Sequence, residues 1–363
     1  MNAINFESVL HHPGWYREEG PEQQVVYASR ARLSRNLSGY FFPHKLNDKQ
    51  LQEVQDNIKN AFKAVKLSNE DRQQLTIKVL DQLPVVERRK LIEKHFVSQN
   101  YSLEKERLVV FDTNDSLAAT VNQKDHLRIA AFTGGLSIQK AYDKVNAIDR
   151  QLEKQLDFAV SLDRGYLSSD LKNCGTGLQV SVLLHLPALK YSSVLERAFR
   201  RAMDAGLEVK GFTGDEDGSL GSLYQLYNPV AIGENEKDIV EKLARIASQL
   251  VDYEQKAREE MKRHRRVELE DIVYRAYGTL KYCRLLQEKE AINLLSDVRL
   301  GVALGWMNIP IQIVNALLVL VGKAHLQQIA GHEKLEESSQ QIKSLRARLV
   351  QHALSAYKED ANV

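Results

Sequence analysis

A small-residue turn followed by an alternating segment constrains the fold of this chain more than any other feature. The turn at 175–177 reads Gly-Thr-Gly, and apolar residues then recur at every second position: Leu178, Val180, Val182, Leu184 and Leu186. This period of two is typical of a β-strand with one packed face, and Pro187 ends it. A glycine turn before a strand can present backbone N–H groups to an anion, although most such turns are only turns. The pattern leaves both interpretations open.

Hydrophobic periodicity predicts an α+β core with helices added at both ends. Residues 1–100 read as mixed helix and loop, with helices predicted at 47–65, 70–80 and 83–95. Between 105 and 233 the pattern changes, and strands are predicted at 107–111, 117–121, 126–132, 178–186 and 207–211. Helices at 135–160 and 192–205 interrupt them. Strands this close in sequence favour an antiparallel sheet that carries helices.

The C-terminal third changes composition. After Gly233 glycine becomes less frequent, and Pro310 is the last proline. Helical patterning covers 235–264, 268–286, 289–304, 311–320 and 338–357. We therefore predict two domains, at 1–260 and 261–363, the second all-helical. The basic run at 262–266 reads as a solvated helix face or, less commonly, a patch that docks a partner.

Composition excludes several classes of protein. The chain has 363 residues, 43% of them hydrophobic and 27% charged, as is ordinary for a globular protein. A net charge of +2 gives no reason to expect nucleic acid or an anionic membrane as a partner. Two cysteines, Cys174 and Cys283, provide no disulfide framework. With no apparent secretion signal, and an apolar stretch at 309–321 too short to span a bilayer, we expect a cytoplasmic protein.

Three sequence blocks carry a family resemblance. Residues 29–36 read Ser-Arg-Ala-Arg-Leu-Ser-Arg-Asn, residues 122–128 read Asn-Gln-Lys-Asp-His-Leu-Arg, and 173–177 read Asn-Cys-Gly-Thr-Gly. In order and spacing they resemble the phosphagen (guanidino) kinases, most closely the bacterial branch that phosphorylates arginine in proteins. Further matching blocks lie at 35–43, 91–95, 165–167, 185–189, 295–301 and 326–331. The resemblance implies the guanidino-kinase fold with a helical C-terminal domain.

The resemblance also implies a nucleotide site built from arginines. Arg30, Arg32 and Arg128 match the family's phosphate-binding arginines, and a guanidinium suits this task because it stays charged and donates two hydrogen bonds to phosphate. Two further positions are substituted, by Gln179 and Lys210. Each charge-assisted contact is worth roughly 1.5–3 kcal/mol, so we expect weakened binding of ATP, with Mg²⁺ bound only together with the nucleotide. Without the resemblance, paired arginines would read as surface ion-pair residues.

The guanidinium side of the site departs further from the family. The family's proton-accepting glutamate aligns with Lys124, and its reactive cysteine with Asp170. An ammonium repels a guanidinium at about 4 Å by roughly 1–4 kcal/mol and cannot accept a proton while charged. Asp215 keeps the family's acidic loop position on a shorter side chain. Cys174 lies four residues beyond Asp170 and does not replace the lost thiol.

These substitutions predict a catalytically impaired kinase. Lys124 and Asp170 form an ion pair in the substrate site in one interpretation, and both point to solvent in the other. The alternative function is an active protein arginine kinase with a base rebuilt from Asp170 and Asp215. A kinase for free arginine or another phosphagen faces the same objection from Lys124.

Partners follow from the resemblance and from apolar stripes. The family's partners include a zinc-binding activator protein and a Clp-type AAA+ unfoldase, which implies an adaptor role. The family's phosphoarginine-binding motif aligns with 339–344, where its arginines are missing; a shift of three places Arg346 and Ala347 over its last two residues. His126 and His185 have no metal-ligand spacing. A homodimer is predicted from apolar stripes at Leu294, Val298, Leu300, Leu304, Ile311, Val314, Leu317 and Leu318.

Overall fold

An antiparallel sheet forms the centre of the structure. A computed structural model describes residues 6–67, 74–98, 101, 107–212, 220–331, 335–355 and 357. Within these residues ten strands occur: β1 Val26–Arg35, β2 Leu75–Val79, β3 Leu108–Asp112, β4 Leu117–Val121, β5 Leu127–Gly134, β6 Val160–Ser161, β7 Gly165–Tyr166, β8 Leu178–His185, β9 Glu208–Gly211 and β10 Leu223–Tyr227. Eight form one antiparallel sheet in the order β2-β3-β4-β5-β1-β8-β10-β9, and β6 pairs with β7. The long strand β1 therefore lies inside the sheet.

The α-helices of the described residues fall into two groups. Those that accompany the sheet are α1 Phe6–Leu10, α2 Asp48–Ala64, α3 Val85–Glu93, α4 Ile138–Glu153, α5 Pro187–Tyr191, α6 Leu195–Asp204 and α7 Glu236–His264. The C-terminal group comprises α8 Arg266–Tyr282, α9 Glu288–Ala303, α10 Ile311–Leu320, α11 Lys323–Ala330 and α12 Gln340–Ser355. Asn47 begins α2 with a capping box, since its side chain accepts from the N–H of Gln50 and the Gln50 side chain accepts in return.

Different helices pack against the two faces of the sheet. Ala31 and Leu33 of β1 belong to a core shared with apolar residues of α4 and α7. Near the start of β1, Tyr27 and Ala28 belong to a second core that contains residues of α9 and α10. Burial of apolar surface drives both contacts, so the C-terminal helices are held directly against one end of the strand. The remaining part of that face carries polar side chains and forms the candidate site.

Most predicted elements are confirmed, and the exceptions have a physical reason. Residues 75–79, inside the helix predicted at 70–80, form β2 instead, while its predicted start at 68–71 lies outside the described residues. Leu75, Ile77 and Val79 alternate, and β2 pairs with β3, so strand pairing overrides an apolar spacing that also fits a helix. Sequence reasoning did not predict the strands β1, β6, β7 and β10 or the helices α5 and α11.

The predicted apolar stripes do not provide a free surface. Val298, Leu300 and Val314 are completely buried, and Leu294 and Leu304 pack against the cores. The exposed large apolar side chains of the C-terminal region instead follow α8 and the loop after it: Val267, Tyr274, Tyr282 and Leu285. Their exposed fractions run from 37% to 78%. A self-association surface is therefore to be sought on α8.

Membrane-spanning potential is confined to one bent helix pair. Within the described chain, no single helix is long and apolar enough to cross a membrane. Taken together, α10 and α11 are long and apolar enough to cross one, judged by length and composition alone, but the pair is bent by 86°.

Candidate active site

Strand register brings the predicted nucleotide positions onto one face of the sheet. Arg32 lies directly opposite Gln179 of β8, and Ser34, two residues further along β1, lies opposite Arg128 of β5. Directly paired residues of antiparallel strands point to the same side, as do alternate residues along one strand. Arg30, Arg32 and Arg128 therefore share one face, with Gln179 beside them.

The fifth predicted nucleotide-binding position, Lys210, lies on β9, two strands beyond β8 in the sheet. Lys210 of β9 pairs with Gln225 of β10, which in turn pairs with Leu183 of β8. Its ammonium is 5.0 Å from the centre of the Tyr227 ring, and the side chain is exposed. We use the term cationic row for Arg30, Arg32, Arg128 and Lys210.

The cationic row carries positive charge that no direct ion pair of its arginines balances within the described structure. Burial, and then the charge of Arg128, lowers the pKa of Arg30 to about 10. Burial, with the neighbouring guanidinium groups, also lowers the pKa of Arg32. Partial desolvation at the strand surface, with the charges of Arg30 and Arg32, lowers the pKa of Lys210. In the described part of the chain, none of the three arginines forms an ion pair, and the Nε atoms of Arg32 and Arg128 are buried without a hydrogen-bond partner. Such a surface is suited to a polyanion, since each phosphate oxygen would relieve the repulsion and satisfy a donor.

A tight turn at the edge of the row presents Lys124. Asn122 has a positive φ of 57°, its N–H donates to the carbonyl of His126 at 2.9 Å, and the N–H of Gln123 donates to that of Asp125 at 3.1 Å. Lys124 lies at the tip with an exposed side chain. Gln123 points back to the row and accepts from Nη1 of Arg128 at 3.0 Å. Lys124 is therefore the chain neighbour of a residue that contacts the row, and it carries an ammonium where the family resemblance implies a carboxylate.

Asp125 fastens this turn to the segment that contains Asp170. Its buried Oδ1 accepts from Nδ2 of Asn36 at 2.9 Å, from Oγ of Ser168 at 3.0 Å and from the N–H of Ser169 at 2.9 Å. Its Oδ2 is buried and has no hydrogen-bond partner among the described residues. The substituted base and thiol positions are consequently held at the same edge of the sheet.

The hypothesis of a Lys124–Asp170 ion pair is not supported. No such pair forms between these two residues in the described structure; Asp170 instead accepts from the N–H of Lys172 at 3.1 Å and caps the short turn Leu171–Asn173. Its charge opposes the burial that lowers the pKa of Arg128, as does that of Asp125. Asp170 is thus near enough to Arg128 for its charge to act on that guanidinium. Asp215 lies outside the described residues.

The Gly-Thr-Gly turn is explained by packing. Gly177 has a φ of +65°, and a Cβ there would lie 2.6 Å from Nη1 of Arg35 and from the carbonyl oxygen of Ser34. Arg35 donates to the carbonyl of Thr176 at 2.9 Å and forms a buried ion pair with Asp149 at 2.7 Å. The turn closes over this guanidinium, which favours the structural interpretation. Cys174 is buried just before it.

Replacing Gly177 by alanine is expected to destabilise the fold by roughly 1–3 kcal/mol, because it adds backbone strain and a clash with fixed atoms. Gly206 is the matched control: its φ is +77°, but a Cβ there would meet nothing within 4 Å. Urea denaturation should show a larger loss for Gly177→Ala than for Gly206→Ala. Equal losses would mean that the contact with Arg35 does not matter.

An aromatic cavity adjoins Arg30 and was missed by sequence reasoning. It has a volume of about 60 Å³, and Trp15, His95, Phe132 and Phe212 are among the residues that line it with Arg30. Burial lowers the pKa of His95 to about 4, so the ring is neutral. His95 ends the sequence block at 91–95, which could have indicated this position although its role was not assigned.

His126 and His185, the histidines considered as metal ligands in the sequence, have structural partners. Nδ1 of His126 accepts from the N–H of Leu37, and its Nε2 is 2.9 Å from the carbonyl of Phe41. Burial lowers the pKa of His126 to about 4, so the ring remains neutral. Nε2 of His185 lies 2.8 Å from Oγ of Ser296.

The C-terminal motif region contains one buried arginine. Arg346 of α12 donates to the carbonyls of Val321 and Leu286 at 2.7 and 2.9 Å, and to Glu337 at 2.8 Å. Its side chain is completely buried. These contacts give Arg346 a packing role between α9, α11 and α12.

Two family models together match most of the chain. The model "ATP:guanido phosphotransferase, C-terminal catalytic domain" matches residues 53–257, and "Protein-arginine kinase McsB C-terminal domain" matches 266–363. Three curated relatives carry the name protein-arginine kinase. The one from Pelotomaculum thermopropionicum is 37% identical over 328 residues, which cover 89% of this chain and 91% of the relative. The relative from Brevibacillus brevis is 37% identical over 342 residues, which cover 94% of this chain and 94% of the relative. The relative from Bacillus subtilis is 35% identical over 318 residues, which cover 87% of both chains.

Solved structures agree on the fold. A crystal structure of lombricine kinase matches with a TM-score of 0.57 and 21% identity over 70% of this chain and 71% of that one. A duplicated taurocyamine kinase from Schistosoma mansoni matches with a TM-score of 0.56 and 20% identity over 70% of this chain and 36% of its own. The predicted guanidino-kinase fold is thereby confirmed.

Proposed function

Because the chain belongs to the protein-arginine kinase family, we propose that it is a catalytically impaired member, which binds ATP weakly and acts by binding other proteins. The observation that carries this proposal is the exposed Lys124 at the edge of the cationic row. Phosphoryl transfer to a guanidinium requires a carboxylate that orients the acceptor and takes its proton. An ammonium at that position repels the acceptor guanidinium and cannot take up the proton that the guanidinium must lose.

The nucleotide half of the site supports retained ATP binding. Arg30, Arg32 and Arg128 would hold the phosphates, and Lys210 would add a single charge without the two-pronged guanidinium geometry. Mg²⁺ supplies charge neutralisation on the phosphates when it enters with the nucleotide. The neutral ring of His95 beside Arg30 offers a face on which a nucleobase could stack after the small cavity widens.

One assay tests the impairment directly. The purified chain is incubated with ATP, Mg²⁺ and an arginine-containing protein, and acid-labile phosphate on arginine is measured. Loss of a general base typically costs about 10²–10⁴-fold, so we expect little or no product against a normal kinase rate of roughly 1–100 s⁻¹. Phosphoarginine formation at an ordinary kinase rate would refute the proposal.

The alternative is an active kinase with a rebuilt base. It is favoured by Asp125, whose Oδ2 lacks a hydrogen-bond partner within the described structure, and by Asp170, whose charge acts on Arg128. Against it, Oδ1 of Asp125 already accepts three hydrogen bonds and Asp170 caps a turn. In the same assay, activity that disappears in Asp170→Asn would favour this alternative.

The binding role is proposed from family resemblance. A zinc-binding activator protein and a Clp-type AAA+ unfoldase remain the proposed partners, and the retained C-terminal helices would supply the surface for them. Pull-down with either purified protein tests each partner separately.

We also propose a homodimer formed through α8. Tyr274 and Tyr282 lie four residues on either side of Gly278, where a Cβ would meet nothing within 4 Å. Two copies of this helix could cross antiparallel at Gly278 and place each Tyr274 against the partner's Tyr282, a self-complementary arrangement.

Tyr282→Asp is therefore expected to turn a dimer into a monomer at micromolar concentration, as measured by light scattering. Leu162→Asp, at a fully exposed apolar residue of the β6–β7 hairpin, is the matched control and should leave the mass unchanged. A monomeric wild-type chain would rule out self-association.

A further inference from the structure

The sequence block at 295–301 in α9 connects the C-terminal helices to three separate parts of the sheet region. Oγ of Ser296 lies 2.8 Å from Nε2 of His185 at the end of β8. Asp297 accepts from the hydroxyl of Tyr191 in α5 at 2.5 Å. The third connection, made by Arg299, reaches the segment before β1. Nothing in the proposed chemistry uses this block.

Arg299 is completely buried, yet it forms no ion pair within the described structure. Its Nη2 donates to the carbonyl of Gln23 at 2.6 Å, its Nη1 to that of Gln24 at 3.0 Å and its Nε to Oδ1 of Asn315 at 2.8 Å. Arg258 adds a longer bond to the Gln24 carbonyl, at 3.2 Å. Burying a guanidinium against neutral acceptors is costly, and burial lowers the pKa of Arg299 to about 9. These hydrogen bonds fix the positions of the Gln23 and Gln24 carbonyls.

Those carbonyls lie immediately before an irregularity in β1. The pairing of β1 with β8 shifts register between Val26 and Ala28, which leaves Tyr27 at a bulge. The Tyr27 hydroxyl donates to the carbonyl of Asn315 at 2.8 Å, and the guanidinium of Arg299 is 5.9 Å from its ring centre. A bulge redirects the residues that follow it, because a slip of one residue moves side chains to the other face. Arg30 comes three residues later.

We propose that Arg299 is a positioning residue for the cationic row. Arg299 of α9 holds Gln23 and Gln24 before the bulge, and Asn315 of α10 holds Tyr27 at it. Together these contacts determine the face of the sheet to which the side chains of Arg30 and Arg32 project. Nucleotide affinity then depends on the docking of the C-terminal helices, although no hydrogen bond or ion pair among the described residues joins those helices to the row. This inference rests on the proposed nucleotide site.

The test compares Arg299→Gln with Arg346→Gln in the full-length chain. Arg346 is an equally buried arginine with three side-chain hydrogen bonds, but none of them reaches β1. Calorimetric titration with Mg·ADP should show at least a tenfold loss of affinity for Arg299→Gln and less than a twofold loss for Arg346→Gln. Hydrogen exchange should be faster at the β1 amides in the first variant alone. Arg299→Lys should recover part of the affinity.

If Arg299→Gln does not fold, Tyr27→Phe, which removes one hydroxyl, tests the same positioning role. It should weaken nucleotide binding about threefold. Equal affinity losses in the two arginine variants, or unchanged affinity in Arg299→Gln, would overturn the inference. Absence of nucleotide binding by the wild-type chain would overturn the proposed nucleotide site itself. In that case unchanged β1 exchange in Arg299→Gln would separately overturn the positioning role.

Discussion

The double variant Lys124→Glu, Asp170→Cys is expected to form phosphoarginine at least a hundredfold faster than the wild-type chain. By the family resemblance, the first change restores a carboxylate at the position of the proton acceptor, and a general base typically contributes about 10²–10⁴-fold. The second restores the family's thiol. Because Lys124 is exposed at the tip of a turn, its replacement should not disturb folding, and a change in rate would report on the chemistry.

Lys124→Gln in the same background is the matched control for this experiment. It removes the repulsive ammonium but supplies no base, so it should bind the acceptor better and still transfer slowly. A gain with glutamine as large as that with glutamate would show that charge repulsion, and not the missing base, limits the reaction. No gain in either variant would place the main defect elsewhere, for instance at Gln179.

The shared face of Arg30 and Arg32 could be predicted from their spacing, but the position of Arg128 and Lys210 beside them and the electrostatic state of the row could not. Arg30 and Arg32 are two residues apart, a spacing that puts both side chains on one face of an extended segment. That Arg128 and Lys210 join them depends on a strand order in which β1 lies between β5 and β8, and no local pattern encodes this order. The absence of ion-pair partners for the three arginines among the described residues likewise follows only from the assembled sheet.

The errors in the sequence analysis arose where local pattern and long-range contact disagree. Residues 75–79 carry a spacing that fits a helix as well as a strand, and pairing with β3 decides between them. An ion pair between Lys124 and Asp170 was one of two interpretations of their opposite charges. In the structure the buried Asp125 links the two backbones, and Asp170 caps its own turn. The Gly-Thr-Gly turn could be read correctly only with Arg35 beneath it.

Arg32→Met is expected to weaken nucleotide binding by roughly 10–100-fold and, without nucleotide, to raise the stability of the protein. A charge-assisted contact to phosphate is worth roughly 1.5–3 kcal/mol, and about 1.4 kcal/mol corresponds to a tenfold change in affinity. In the free protein Arg32 is half-buried beside Arg30 and Arg128, and its buried Nε has no hydrogen-bond partner among the described residues. Burial and the neighbouring guanidinium charges lower the pKa of Arg32, so the fold disfavours its charge. This cost applies at every pH at which the guanidinium is charged, including neutral pH.

Methionine retains an unbranched apolar stem of similar reach without the charge, so urea denaturation of the free protein should show a gain of up to about 1 kcal/mol. Arg150→Met is the matched control, because Arg150 is an exposed residue of α4 on the other side of the sheet. It should change neither nucleotide affinity nor stability appreciably. A loss of stability in Arg32→Met together with unchanged affinity would mean that Arg32 is a structural residue. The opposite signs of the two effects identify a residue that is retained for its ligand at the expense of the fold.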